Sequence, residues 1–253
     1  MKNLLKFEFH KLFRQKSFYV CAGIMAAFSI LSIILIELVV KTTPDMSNLI
    51  DTPRSVWDIM LGTLNNANFV LIAGIFVAIF VCDDFSSGTI KNIYSRGFSK
   101  TKVFFAKLIV ALTAVLIMYF ANLIISIIMG LILFGTHLFH AKYIGLLFAQ
   151  LALIIGYSTF AFSVSMIFKK IGPVIAITIL VPMVIGLFLS LFDVALGLES
   201  LKAADFWLEG MAARLSTVAT LPLQIILSAI GSLIYAAIFA VIGWYSNKKL
   251  ENY

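Results

Sequence analysis

The 253-residue chain is 62% hydrophobic and only 12% charged, with a mean hydropathy of +1.06. Soluble domains carry about 25% charged residues and roughly half apolar ones, so this composition excludes a water-soluble fold and makes lipid the solvent for most of the chain. The formal charge of +7 reflects sidedness in a membrane, argued below, and needs no nucleic acid to explain it.

A transmembrane barrel shows alternating segments of about ten residues. The apolar runs here are longer, so the expected class is all-α: a polytopic membrane protein with six transmembrane helices, forming a single transmembrane domain over 1–253. Residues 2–16, KNLLKFEFHKLFRQK, come first. Leu5, Phe9, Leu12 and Phe13 share one side at helical spacing, and Lys6, His10, Lys11 and Arg14 share another. Glu8 falls beside the apolar group and Phe7 among the polar one, which weakens the pattern. The segment reads as an N-terminal interfacial helix. The first span, 18–40, is too long for a signal-peptide core and no A-x-A site follows it, so it reads as uncleaved. Glu37 is the charge that stands clearly within an apolar run. It either reaches the outer interface or lines a pathway.

The second span is expected at 66–82, followed by a polar loop at 83–102. The third run, 103–134, is long: its 32 residues would measure roughly 48 Å against a hydrocarbon core of about 30 Å, so its first turns project into the cytosol. His137 and His140 then form an H-x-x-H in a tight outer loop with no nearby Cys or acid, and no metal site is expected there. Spans at 143–168, 173–192 and 223–246 complete the set. Gly172-Pro173 opens the fifth, where a missing N–H costs nothing. Pro182, in mid-span, should bend the helix and leave a carbonyl for a neighbour. Between the fifth and sixth spans, residues 193–222 form an outer amphipathic or re-entrant segment. Phe206, Trp207, Gly210, Met211 and Leu215 give it an apolar face, with Asp205 and Glu209 opposing.

Fourteen of the nineteen Lys and Arg residues fall on the side that holds both termini, and eight of the twelve acids on the other. The positive-inside rule therefore puts both termini in the cytosol and the chain in the cytoplasmic membrane as a multi-pass protein. Cys21 and Cys82 lie near cytosolic ends of spans, where they serve as small apolar filler and no disulfide is expected.

The loop at 83–102 holds the most information. Asp84 and Ser86-Ser87 offer capping oxygens at a helix start. Ser87 to Arg96 can make about two and a half helical turns, and Gly97 is a natural stop. Ile90, Ile93 and Tyr94 form a short apolar face flanked by Lys91 and Arg96. A helix so short needs a surface to dock on.

The run DFSSGTIKNIYSRGFSKTKVFFAK resembles the cytosolic motif after the second span of ABC-2-type permeases, the membrane subunits of one class of ABC transporter. The pattern is an acid four residues before Gly-Thr, an apolar residue, a turn, a basic residue and a lysine opening the third span. Here these are Asp84, Gly88, Thr89, Ile93, Gly97, Lys100 and Lys107. The family often has glutamate for Asp84 and proline for Gly97. The resemblance implies that this stretch is a coupling helix seated in a groove of a separate ATPase, contacted through Asp84, Gly88, Thr89, Ile90, Lys91, Ile93, Tyr94, Arg96 and Gly97. It also implies two ATP-binding-cassette subunits holding ATP and Mg, and a second permease copy or a sister permease. The outer helix, with Phe206, Trp207 and Met211, would help close the exit. The general look is that of small exporters of amphipathic peptides, and a pathway rich in Phe, Leu and Ile suits a hydrophobic or amphipathic substrate.

No G-x-x-x-x-G-K-[ST] phosphate loop occurs, so the chain itself has no ATP site and no cofactor is expected on it. No catalytic residues are expected either. Ser158 in Gly156-Tyr157-Ser158 has no histidine in any span to activate it and reads as helix packing. Asn122, Ser126 and Gln150 are the other polar groups in the spans. Two rival readings are a non-transporting membrane immunity protein and an ion-coupled carrier or channel. The second wants ionisable or broken-helix sites deep in the bundle, which the sequence does not display.

Overall fold

The computed structural model describes residues 2–42, 56–64, 67–134, 142–197, 202–215 and 222–249. Among them there are helices and no strand. In chain order they are α1 (Lys2–Arg14), α2 (Lys16–Thr42), α3 (Val56–Leu64), α4 (Ala67–Ser86), α5 (Thr89–Ser95), α6 (Lys100–Phe134), α7 (Lys142–Phe168), α8 (Ile171–Ala195), a 3-10 turn at Ala203–Phe206, α9 (Leu208–Leu215) and α10 (Pro222–Lys249). Six of these, α2, α4, α6, α7, α8 and α10, are long and apolar enough to cross a membrane. His137 and His140 lie outside the described residues.

The helix α7 is the axis of the bundle. It packs on α10 above all, and on α4, α6, α8 and α9. Of its apolar window 72% is buried, against 17% for α8 and 22% for α2 and α10, so α7 is central while the other three expose broad apolar faces. Aromatic rings fill the space between α2, α4, α6 and α7: Phe104 meets Phe162 edge-on at 5.2 Å, Phe18 meets Phe76 at 5.7 Å, and Phe69 meets Tyr119 at 6.1 Å. Small residues let α7 and α10 touch. A Cβ added at Gly243 would sit 3.1 Å from the Cα of Ser163, whose hydroxyl donates to the Phe239 carbonyl at 2.6 Å. Close approach through small residues is how membrane helices gain contact when the solvent is as apolar as their side chains.

The structure moves several boundaries. The second span runs past 82 to Ser86, so the first four residues of the expected loop continue α4. The third begins at Lys100 rather than 103, and its first turns are packed against other helices. No element was expected at 56–64, yet α3 buries Val56, Ile59, Met60 and Leu61. Its nine residues are too few to span and so gave no hydropathy signal. It lies on α6 where Gly130 leaves room, since a Cβ there would meet Val56 Cγ1 at 3.3 Å. Helix α8 runs unbroken through Pro182.

The α7–α10 contact generates a prediction. Gly243→Leu should cost roughly 2 kcal/mol or more by overpacking and lower the unfolding temperature of the detergent-purified chain by several degrees. Gly23→Ala, at a position with open space around it, should leave that temperature unchanged.

Candidate functional site

At the end of the bundle that carries α1 and α5, four charged side chains meet. Asp84 on α4 pairs with both Lys11 on α1 and Lys107 on α6. Lys107 Nζ also lies 2.8 Å from Glu8 Oε1 on α1. Both Glu8 oxygens nonetheless lack a hydrogen-bond donor, so that contact is an ion pair without hydrogen-bond alignment. Glu8, Asp84 and Lys107 are at most 1% exposed and Lys11 is 19% exposed. The Phe80 ring underlies both ammonium groups, 5.0 Å from Lys11 Nζ and 5.9 Å from Lys107 Nζ. Two anions and two cations balance, which lets charge be buried at this depth.

This quartet explains the flaw in the first helix's pattern. The inward face of α1 is Leu4, Glu8 and Leu12, with Leu5 and Phe9 partly buried beside it; Phe13, expected on that face, is 49% exposed. The spacing of four residues puts Glu8 over α6, where Lys107 waits. Asp84 is likewise not the cap of the next helix. It belongs to α4 and points inward. The N-cap of α5 is Gly88, at φ 71, with no side-chain capping bond. The hydroxyls of Ser87 and Thr89 face each other at 2.9 Å, and Ser86 bonds back to the Asp83 carbonyl. Gly88 is needed because a positive φ lets the chain leave α4 and begin α5 at once.

Helix α5 is one residue short of eight and rests on the quartet's neighbours. Ile90 and Ile93 pack with Leu4 of α1 and with Val103 and Ala106 of α6. Gly97, at φ 82, ends the excursion, its N–H donating to the Tyr94 carbonyl at 2.9 Å. Lys91, Asn92, Ser95 and Arg96 are exposed. Tyr94 is half-buried beside Asn247 of α10, and burial pushes its hydroxyl pKa up. On the same side, a recess of about 680 Å³ is lined by Lys91, Lys100, Lys169 and Lys170 together with Tyr94 and Asn247. Lys169, between α7 and α8, holds φ 57 and stacks its ammonium 5.5 Å from the Phe85 ring. Burial and the nearby Lys100 lower its pKa.

The opposite end holds the second cluster of expected residues. Asp193, at the end of α8, accepts the N–H groups of Ala203 and Ala204 at 2.6 and 2.9 Å and so anchors the 3-10 turn. Trp207 then donates its indole N–H to the carbonyl of Pro182 at 3.0 Å, about halfway along α8. The carbonyl taken is Pro182's own, not that of Thr178, the one a proline frees. The segment therefore re-enters the bundle. Leu208, Met211 and Leu215 are buried, with Leu208 and Met211 packed on Leu153 of α7 and beside Tyr235 and Phe239 of α10. Phe206 is 49% exposed because the tighter 3-10 turn takes it out of the α9 register. Gly210 admits the turn's backbone, since a Cβ there would lie 2.9 Å from the Asp205 Cα. Arg214 closes the loop on Asp205. The buried Gln150 of α7 donates to the carbonyls of Leu61 at 3.1 Å and Leu215 at 3.4 Å, joining α3 and α9.

Of the remaining expected residues, Glu37 pairs with Lys41 one turn on, at 2.6 Å, near the end of α2. Ser158 is buried. Cys21 and Cys82 are buried and free. Reading the sequence missed Glu209. Its place opposite the apolar face suggests water, and it lies instead half-buried against α8, where a Cβ at Gly186 would come within 3.4 Å of its carboxyl carbon.

The quartet yields a prediction. Lys107→Met leaves two buried carboxylates with only Lys11 between them and should cost about 3–5 kcal/mol, the usual loss when one partner of a buried pair is removed. Lys11→Met should cost much less, because Lys11 is partly solvated. Thermal unfolding in detergent compares the two; equal effects would show that Asp84 is not shared in this way.

Residues 4–193 match the family model described as ABC-2 family transporter protein, three quarters of the 253 residues. No curated protein matches the sequence as a relative. The matched stretch takes in α1, the quartet, α5 and all but the end of α8. It stops before the re-entrant helix. The chain belongs to the ABC-2 transporter family, whose members are membrane-spanning permease subunits of ABC transporters.

Proposed function

We propose that this chain is one half of an ATP-driven exporter: a six-span permease that pairs with a second copy or a sister permease. Two separate ATP-binding-cassette subunits drive it and hold the ATP and Mg. The end with the quartet and α5 faces the cytosol, as the bias of Lys and Arg requires. The cargo is lipophilic or amphipathic, such as an antimicrobial peptide or peptide toxin, moved outward from the cell or membrane.

The observation that carries this reading is the posture of α5. A helix of seven residues does not hold itself; this one is nailed to α1 and α6 by Ile90 and Ile93 and turns a polar, basic ridge outward. That ridge, Thr89, Lys91, Arg96 and Gly97, with the half-buried Tyr94 at its edge, is the ATPase contact. Asp84, Gly88, Ile90 and Ile93 serve the contact by seating the helix. The lysine-lined recess beside it favours an acidic partner surface, and such charges mainly steer and orient docking. ATP-driven approach of the two ATPase subunits would then displace α5 and, through the quartet, α1, α4 and α6 as one body. The broad apolar faces of α2, α8 and α10 leave surface for a second half. At the outer end, Trp207 and Met211 hold the re-entrant helix across the bundle and act as the exit gate, with Phe206 at its rim.

The test is charge reversal on the ridge. Lys91→Glu with Arg96→Glu should reduce at least about tenfold the ATP-binding-cassette protein recovered with the tagged chain in mild detergent, without changing the chain's unfolding temperature. Ile93→Asp should lower recovery and stability together. Full recovery with the double reversal would overturn α5 as the contact.

A further inference from the structure

Between α4, α7, α8 and α9 lies a cavity of about 430 Å³. Its lining is apolar apart from Thr178, Tyr157 and Glu209, and among the described residues no basic side chain lines it. A volume within about 300–1,000 Å³, an apolar wall and a few convergent polar groups are the usual form of a small-ligand site. Met183, 61% exposed on the outer surface of α8, is part of the lining, so the cavity can be reached from outside the bundle.

Three features single out Glu209. It is carried to the level of the middle of α8, a helix apolar and long enough to cross a membrane, on a short helix fixed by the Trp207–Pro182 bond. The structure makes room for it: a Cβ at Gly186 would come within 3.4 Å of the Glu209 carboxyl carbon. And the nearest cation on its own helix, Arg214, is already engaged by Asp205. Among the described residues no cation pairs with this half-buried carboxylate, and an uncompensated charge away from water is costly; residues of this kind in membrane proteins mark ligand and ion sites. Tyr157 lines the same cavity as Glu209 and offers an aromatic face to a cation.

We propose that this cavity binds a lipophilic monovalent cation, its charge neutralised by Glu209 and its apolar groups housed between α4 and α8. The ligand class is a quaternary or protonated amine with bulky apolar substituents, or the ammonium end of an amphipathic peptide. As an assignment of cargo this rests on the exporter reading; as a binding site it does not, and the assay below needs no ATPase.

The full chain in nanodiscs of zwitterionic phosphatidylcholine is titrated with tetraphenylphosphonium, and with tetraphenylborate as an anion of the same shape. Tetraphenylphosphonium should bind saturably, one per chain, without competition from tetraphenylborate. Glu209→Gln should weaken binding by at least about tenfold, and Glu209→Asp should retain part of it. Ala213→Phe, which narrows the cavity while keeping the carboxylate, should also weaken it, and it keeps the test decisive if Glu209→Gln unfolds. Undiminished binding by the Gln and Phe variants, or equal competition by tetraphenylborate, would mean partition into apolar surface and overturn the site. Lost binding in Glu209→Gln with unchanged recovery of the ATPase would support the site and leave the motor reading intact.

Discussion

The architecture of the basic end depends on burying four charges together. Glu8, Lys11, Asp84 and Lys107 come from three helices, and none is tolerable there alone. A buried ion pair contributes little net stability compared with apolar residues of the same shape, because desolvation offsets the attraction. What it supplies here is register. Sliding α1 by one residue would swing Glu8 by about 100° away from Lys107 and strand both charges. The apolar contacts of α1 alone, Leu4 and Leu12, would tolerate a shift far better. The Phe80 ring beneath both ammonium groups strengthens the same arrangement. Once α1 is fixed, Leu4 is fixed, and Leu4 is part of the seat on which Ile90 and Ile93 hold α5.

Helix α4 connects this end to the interior of the bundle. Asp84 stands at its basic end, and Leu71 and Gly74 line the cavity that holds Glu209. Thirteen residues separate Leu71 from Asp84, about 20 Å along a helix. A Cβ at Gly74 would lie 2.9 Å from Thr178 Cγ2 of α8, so α4 and α8 touch closely beside the cavity. A tilt of α4 imposed at the quartet must therefore change the cavity's width or push α8, because packed helices shift between discrete arrangements rather than deform. For the proposed motor docked at α5, this geometry would be a short mechanical route to the cavity.

The six spans were legible because hydropathy and length report them almost without tertiary context. So was the short helix in the polar loop, through Ile90, Ile93 and Gly97. What the sequence hid were the places where polar groups leave water. Asp84 looked like a cap because a carboxylate just before Gly-Thr ordinarily is one; only the approach of Lys11, 73 positions away in the chain, shows that it faces inward. Glu8 did leave a signal, as the one acid beside an otherwise apolar stripe, and such a misfit is the mark of a buried partner. Glu209 left none. Its helix is eight residues long, amphipathic and outside every hydropathy window, so its depth is decided by contacts made with α8, 25 residues upstream. Phe206 falls off the buried face of α9 because helical spacing does not carry through a turn that is not α-helical.

The re-entrant segment also shows how such a structure could open. Backbone at membrane depth must find its hydrogen bonds in protein, and here the bonds are unevenly shared. Asp193 holds the 3-10 turn and Pro182 holds Trp207, so α8 and the segment are joined by directed polar contacts that have no replacement in lipid. Towards α7 and α10 the contacts include the apolar Leu153, Tyr157, Tyr235 and Phe239, with a Gln150 contact to Leu215 at 3.4 Å, near the limit of a hydrogen bond, and a weak bond from the Ser232 hydroxyl to the Met211 sulfur at 3.5 Å. Apolar surfaces slide past one another or exchange for lipid at small cost, whereas a bond broken in hydrocarbon leaves two unsatisfied groups. A motion of α8 with the segment attached, away from α7 and α10, would spare the Asp193 and Pro182 bonds. It is also the motion that widens the cavity at Glu209, since that cavity is walled by the elements on either side of this seam.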